Sequence, residues 1–105
     1  MALYAFEYRY KEDLLTLVSD IRPAHRVFMR ELEAQGVLIA SGFLRDATFN
    51  GALAILRADS AADARRLLSN DPFALSDLIH SIVVREWQPT IGAFAEDFDT
   101  DFPHS

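Results

Sequence analysis

The chain has 105 residues, a formal charge of −6 and a half-hydrophobic composition, which suits one globular domain with an ordinary core. No apolar run approaches the roughly 20 residues that span a bilayer, and the chain does not start with the basic and apolar blocks of a secretory signal. The absence of cysteine excludes disulfides, thiolate catalysis and cysteine-ligated zinc, so we expect a cytoplasmic protein that does not bind membranes.

Negative charge is concentrated at the C-terminal end, where four acids stand without a base between them: Glu96, Asp97, Asp99 and Asp101. The rest of the chain offers no concentrated positive field to a phosphate backbone, so we do not expect nucleic-acid binding. We divide the chain into a domain over residues 1–90 and an acidic, phenylalanine-containing tail over residues 91–105. The tail is either a solvated, frayed end or an arm whose phenylalanines pack across a dimer or over a pocket.

The chain begins with a strand pattern. Residues 2–10 alternate partly and are rich in aromatic side chains, which predicts a strand with three aromatics on one face: Tyr4, Phe6 and Tyr8. Residues 12–21 then carry leucine, valine and isoleucine at helical spacing. This segment is either a short helix or the approach to a longer one.

A helix is predicted from Pro23 to about Gly36. Proline suits the first helical turn because it has no N–H to satisfy, and Gly36 suits the left-handed residue that ends a helix. Between them, apolar positions follow the i, i+3, i+4, i+7 rule of an inward-facing stripe: His25, Phe28, Met29 and Leu32.

The second half predicts a hairpin, a helix and a last strand. Residues 37–44 and 52–58 read as strands joined by a turn over residues 46–51, in which Asn50-Gly51 is the strongest turn signal. Ser60 can cap a helix that Asn70 closes, with Asp63 placed to reach back to the cap. Residues 79–87 form the fourth strand. The order β-α-β-β-α-β predicts an α+β, ferredoxin-like fold.

Both helices of that fold cover one face of the sheet and leave the other face bare. A four-stranded apolar face is too large to remain in water, so we expect a second subunit to cover it. The sequence therefore predicts a homodimer.

Two residues are the best candidates for chemistry. If Pro23 opens the helix, His25 lies in its first turn, where the helix dipole and partial burial favour a neutral imidazole that can act as a general base. Taken alone, His25 is explained better as a histidine at the core edge that is bonded to a backbone carbonyl. Asp71 precedes Pro72 and can simply cap a helix. If the two meet, the aspartate can fix the imidazole tautomer and stabilise the imidazolium.

Other candidates concern binding. Arg22 could hold an anionic group of a substrate, and Ser41 and Gly42 could line a pocket, although a surface arginine and a plain strand serine are equally ordinary. The three histidines lack the spacing of metal ligands: His25, His80 and His104. We expect neither a metal nor a cofactor, haem included.

A set of short motifs carries a family resemblance over about residues 1–90. The motifs are Arg22-x-x-His25, Gly36-x5-Gly42, Gly51-x-Leu53-Ala54-Ile55, Asp71-Pro72-Phe73 and Glu86-Trp87. In order and spacing the chain resembles the YCII-related (YciI-like) family, although proline often follows the second-strand glycine there, where this chain has Phe43. The resemblance implies a ferredoxin-like subunit in a dimeric α+β barrel and a His-Asp active site at His25 and Asp71. Relatives include an enzyme class that removes chloride from a chlorinated hydroquinone and, by fold, muconolactone isomerases.

The first hypothesis is a cofactor-independent enzyme that uses His25 and Asp71 for elimination, isomerisation or hydrolysis of a small metabolite. The alternative is a dimeric module that binds a small ligand without turnover. In a third interpretation the two residues merely close helix ends.

Overall fold

The structure, a computed structural model, describes residues 2–46 and 49–95. One antiparallel sheet has the strand order β2-β3-β1-β4, with bounds β1 Ala2–Tyr10, β2 Leu38–Arg45, β3 Asn50–Ala58 and β4 Ile79–Trp87. The helices are α1 Leu15–Ala34, α2 Ala61–Leu68 and the single turn α3 Pro72–Leu75, and a 3₁₀ turn, Glu12–Leu14, precedes α1. The predicted β-α-β-β-α-β order and the α+β, ferredoxin-like class are confirmed.

The core lies between the sheet and the helices. Strand β1 is central, pairing with both β3 and β4, and alternate side chains of β1 are buried against the helices: Tyr4, Phe6, Tyr8 and Tyr10. Helix α1 contributes Val18, Met29 and Leu32 to the same cluster, and α2 contributes Ala64 and Leu68. The predicted aromatic face of β1 is therefore the one that holds the helices in place.

Helix α1 starts earlier than the sequence indicated. It begins at Leu15, so Pro23 lies inside the helix and residues 12–21 are the approach to a longer helix. Proline at this position cannot donate a hydrogen bond to the carbonyl of Ser19, one turn earlier. Both residues are exposed, so water can bond to that carbonyl. The prediction that Pro23 opens the helix was wrong.

The turn between β2 and β3 also differs from the prediction. Asn50 and Gly51 belong to β3, where they pair with Arg45 and Leu44. The chain reverses before them, where the Asp46 carboxylate accepts a hydrogen bond from the backbone N–H of Phe49. Gly51 is needed for a different reason, because a side chain there would collide with the carbonyl oxygen of Tyr8 on β1.

The helix ends follow local rules. Gly36 ends α1 with φ +76°, and the Ser60 hydroxyl caps α2 by accepting a hydrogen bond from the N–H of Asp63. The Asp63 carboxylate does not reach back as predicted; it pairs with Arg66 at 2.8 Å. Gly36 and Ser60 were thus identified correctly, whereas α2 ends at Leu68 with Ser69 as its C-cap, so Asn70 does not close the helix as predicted.

The sheet face opposite the helices carries partly exposed apolar side chains, among them Leu53 and Val83. The ring of Trp87 meets Phe94 edge-on at 6.2 Å between centroids, so the chain just after β4 stays against its own strand. The remaining tail phenylalanines, Phe98 and Phe102, lie outside the described residues, and the 1–90 and 91–105 division stays a prediction. Within the described ranges, no helix combines the length and apolar character that crossing a bilayer requires.

Candidate active site

Asp71 is the only acidic or basic residue in the buried set of the described chain, and it is 0 % exposed. It stands immediately before α3, where Pro72 takes the first helical position and the Asp71 Oδ1 atom accepts a hydrogen bond of 2.9 Å from the N–H of Phe73. This is the predicted cap. It fixes the carboxylate in the interior, within reach of β1 and α1.

His25 comes from the middle of α1 and meets this carboxylate. Its Nδ1 atom lies 2.9 Å from both Oδ1 and Oδ2 of Asp71, although 46 residues separate the two in the chain. The imidazole also stacks on the Phe73 ring, with centroids 4.2 Å apart and planes 16° from parallel. A hydrogen bond on one edge and a ring on one face leave the imidazole little freedom to rotate.

Because His25 lies far from the helix N-terminus, the dipole argument for a neutral imidazole does not apply. The Asp71 carboxylate has a different effect: in the neutral ring it selects the tautomer that carries its proton on Nδ1. In the neutral ring, Nε2 then holds the lone pair that can accept a proton.

Tyr8 completes the contacts of Asp71. Its hydroxyl donates to Oδ2 at 3.3 Å, so a phenol, an imidazole and a backbone N–H all face one carboxylate. Burial, followed by the neighbouring Asp71 charge, raises the pKa of Tyr8 far above its usual value. The phenol therefore remains a donor at every ordinary pH.

A pocket of about 520 Å³ opens between α1 and strands β2 and β3, and His25 is part of its wall. Tyr8 and Tyr10 from β1 line it as well. Burial raises the pKa of Tyr10 to about 12, with Arg22 acting in the opposite direction and Asp71 in the same one. Since Nδ1 is engaged by Asp71, Nε2 is the ring nitrogen of His25 that remains for a molecule in the pocket.

The structure brings the predicted binding residues to the same place. Arg22, Ser41 and Gly42 all line the pocket, and the Arg22 guanidinium lies 5.2 Å from the centre of the Phe43 ring. His80 does not join them; it is exposed near the start of β4, and His104 lies outside the described residues. The roles assigned to the five site residues stay predictions.

Sequence reasoning missed several pocket residues. Arg26 and Arg30 line the pocket beside Arg22, and their four-residue spacing was visible in the sequence as one helical stripe. Tyr8 was predicted only as part of the aromatic face of a strand and Tyr10 was given no role, because nothing local reveals that a buried phenol faces a carboxylate. Across residues 2–46 and 49–95, no three His, Asp or Glu side chains come together as a metal site.

Fold and pocket together define a small α+β domain in which an imidazole lines a pocket and is backed by a buried carboxylate. The model of the YCII-related domain family matches residues 2–88, so the chain belongs to that family, and the resemblance is confirmed. A search of curated proteins finds no match to this sequence.

Two solved structures show the same fold. The first is 5-chloro-2-hydroxyhydroquinone dehydrochlorinase (TftG) from Burkholderia phenoliruptrix AC1100 in complex with 2,5-dihydroxybenzoquinone, with TM-score 0.72 and 22% identity over 81% of this chain and 92% of that chain. The second is protein Atu4242 from Agrobacterium tumefaciens, with TM-score 0.55 and 17% identity over 85% of this chain and 93% of that chain. At these identities the comparison establishes the fold.

Proposed function

We propose that this protein is an enzyme that acts on a small molecule by general acid-base catalysis, with His25 as the base and acid and Asp71 as its orienting partner. One observation carries the proposal: Nδ1 of His25 lies 2.9 Å from both oxygens of a fully buried carboxylate, at the wall of an open pocket. A residue that only closed a helix would not need a second side chain held against it in this way.

The chemistry follows from the tautomer. Nε2 accepts a proton from the substrate, and the imidazolium that forms is stabilised by the Asp71 carboxylate. In an elimination, the electron pair of the broken C–H bond forms a double bond while a leaving group departs from the neighbouring carbon. The imidazolium then passes its proton to the leaving group or to solvent. In an isomerisation, it returns the same proton to another atom of the substrate. In a hydrolysis, the proton comes from a water molecule whose oxygen bonds to the carbonyl carbon, and the imidazolium protonates the oxygen that leaves as the acyl C–O bond breaks. Each route leaves His25 in its starting state after one proton transfer back.

One fold relative is a dehydrochlorinase, so elimination is the reaction to test first. Its name also gives the substrate, which is a small oxygenated ring. We therefore propose oxygenated unsaturated rings as the first substrate class, with small lactones and esters as the second.

Turnover of a panel of halogenated hydroxyhydroquinones, lactones and esters by the purified protein tests this proposal. His25→Gln is expected to lower kcat at least about 100-fold while the fold is retained, because the proton acceptor is lost. His80→Gln is the matched control, since His80 is exposed and outside the pocket. Equal turnover by His25→Gln and the parent would reject the assignment.

A parent protein that turns over nothing in the panel, but whose melting temperature rises with a panel compound, would replace the enzyme by a binding module. No turnover and no stabilisation, together with severe destabilisation by both His25→Gln and Asp71→Asn, would support the structural interpretation.

We also propose a homodimer that covers the helix-free sheet face. This face carries exposed Val83 together with both an acid, Glu7, and a base, Arg85, so two copies related by a twofold axis can bring opposite charges together. Val83→Glu is expected to sediment as a monomer. Leu75→Glu is the matched control, because Leu75 is exposed on α3 at the helix side. A monomeric parent would rule the dimer out.

A further inference from the structure

Three arginines of α1 form a row along one wall of the pocket: Arg22, Arg26 and Arg30. Residues four apart in a helix are offset by about 40° around the axis and about 6 Å along it. The three guanidinium groups can therefore reach the pocket together over roughly 12 Å of helix. They are three of the ten basic residues of a chain whose formal charge is −6.

The row is not used for internal ion pairs. In the part of the chain that the structure describes, ion pairs such as Lys11–Asp77 and Arg66–Asp63 involve other residues, and none includes a member of the row. Glu33 is the only acid among the residues that line the pocket. The pocket wall therefore holds an excess of positive charge on a protein that is negative overall, which attracts an anion to this place.

An exposed aromatic ring stands across from the row. Phe43 on β2 is 50% exposed, and its ring has the Arg22 guanidinium at 5.2 Å and the Arg45 guanidinium at 5.9 Å. Tyr10 meets the same ring edge-on at 6.5 Å. Both guanidinium groups lie over the Phe43 ring, so the pocket wall presents arginine cations and a half-exposed aromatic ring side by side, which a flat anionic molecule can contact together.

We propose that the ligand of this pocket is a flat, unsaturated ring that carries one or more oxyanion groups, with Arg22, Arg26 and Arg30 binding the oxyanions and Phe43 stacking on the ring. This deepens the proposed function and rests on it for the choice of the pocket as the site of reaction. Arginine suits the task because its planar fork pairs with carboxylate and phosphate oxygens in a bidentate way.

The arrangement also orients a substrate. His25 belongs to the same helix as the row, between Arg22 and Arg26, and its ring is held at the inner end by Asp71. An oxyanion bound by the row fixes one end of the ring, and the ring atoms next to it then lie towards Nε2. The arginines thereby also stabilise negative charge that develops when His25 removes a proton.

Calorimetric or NMR titration of the full chain with non-reacting probes tests the proposal. The first pair is benzoate and benzamide, which have nearly the same shape and differ in charge. The second series adds carboxylates to one ring: benzoate, isophthalate and trimesate. We expect benzoate to bind at least about tenfold more tightly than benzamide, as one charge-assisted hydrogen-bonded pair provides, with further gains along the series. Raising the salt concentration should weaken trimesate most.

Arg26→Gln and Arg30→Gln should each lower trimesate affinity about tenfold and leave benzamide unaffected. Arg65→Gln on α2 is the matched control, because it removes an exposed arginine outside the pocket. Phe43→Leu should reduce the preference for benzoate over cyclohexanecarboxylate. Phenyl phosphate binding more tightly than benzoate would support the proposal and assign phosphate as the oxyanion.

Equal affinities for benzoate and benzamide, or trimesate binding unchanged by both arginine variants, would overturn the proposal. Binding is measured without turnover, so the outcome is independent of catalysis. Oxyanion binding by the His25→Gln variant, in a protein whose parent turns nothing over, would reject the enzyme and retain this ligand class.

Discussion

The two ends of the pocket are built in opposite ways. At the inner end, the lining residues His25 and Tyr8 are backed by Asp71, which is fully buried and receives hydrogen bonds from β1, α1 and α3. At the outer end, Arg26 and Arg30 are exposed on one helix. The inner end is fixed in one geometry by packing, as proton transfer requires, whereas the outer end keeps its side-chain freedom, as capture of a ligand allows.

This contrast has an energetic consequence. Substitutions at the inner end remove contacts that the folded state depends on, so they alter stability and chemistry together. Arg26 and Arg30 are exposed, so their substitution should alter ligand binding, and any catalysis that depends on it, with little change in stability.

The largest effect is expected for Asp71→Ala. Loss of this carboxylate leaves the Tyr8 hydroxyl, the His25 imidazole and the Phe73 N–H without their acceptor in a buried place, which should lower the free energy of unfolding by about 3–5 kcal/mol. Urea denaturation measures it. Asp63→Ala is the control, because Asp63 forms an exposed pair with Arg66, and it should cost about 1 kcal/mol or less. If Asp71→Ala and Asp63→Ala lowered the free energy of unfolding by similar amounts, the buried carboxylate would not be the rigid inner end described above.

The second effect is a loss of stability in alkali. The pKa of Tyr10 rises to about 12 in the fold because the phenol is buried, whereas in the unfolded chain it is about 10. Tyr10 therefore makes its full contribution to the free energy of unfolding below pH 10. As the pH rises towards 12, that free energy falls by about 2 kcal/mol. The pKa of Tyr8 is raised further, so Tyr8 makes the free energy of unfolding fall more steeply with pH.

Absorbance at 295 nm follows tyrosine ionisation directly, and denaturation at each pH follows the stability. In Tyr10→Phe, the free energy of unfolding should fall less between pH 10 and 12 than it does in the parent protein. A phenol that titrated near pH 10 in the native protein would show that the inner end is open to water.

A smaller effect is expected for Tyr8→Phe. The hydroxyl bonds Asp71 at 3.3 Å, which is long for an O–H donor, so its removal should cost about 1 kcal/mol in denaturant titration. Tyr4→Phe is the matched control on the same strand face, because no bond from the Tyr4 hydroxyl occurs within the described chain; it should change stability by less than about 0.5 kcal/mol. Equal changes in the free energy of unfolding for Tyr8→Phe and Tyr4→Phe would show that the Tyr8 hydroxyl makes no stabilising bond to Asp71.

The smallest effect concerns the outer end. Arg26→Gln and Arg30→Gln should leave the free energy of unfolding within about 0.5 kcal/mol of the parent, because both side chains are exposed. Thermal or urea unfolding measures it. A loss above about 2 kcal/mol would mean that the row is structural and would end the contrast between the two ends.

Local patterns were sufficient for much of the fold. The alternating aromatics of β1, the cap at Ser60, the left-handed Gly36 and the Asp71-Pro72 start of α3 each depend on neighbours within a few residues, and each was predicted correctly. The family motifs added the order of these elements, and the family is confirmed.

Local rules failed where a residue had two possible uses. Pro23 suits the start of a helix but is tolerated inside one, and the earlier start at Leu15 follows from burial of Val18 against the sheet. Asn50-Gly51 suits a turn, yet Gly51 is required by the close approach of the Tyr8 carbonyl on a neighbouring strand. Both choices are made by contacts with distant parts of the chain.

By itself, the sequence determined the order of strands and helices and supplied an imidazole, a carboxylate and a row of arginines at helical spacing. Only the tertiary structure decided that His25 and Asp71 meet, that Tyr8 joins them, and that Arg26 and Arg30 face the same pocket. The physical reason is that helix caps and periodicity are properties of short segments, whereas a site between α1, α3 and the sheet exists only after the hydrophobic core has packed them together.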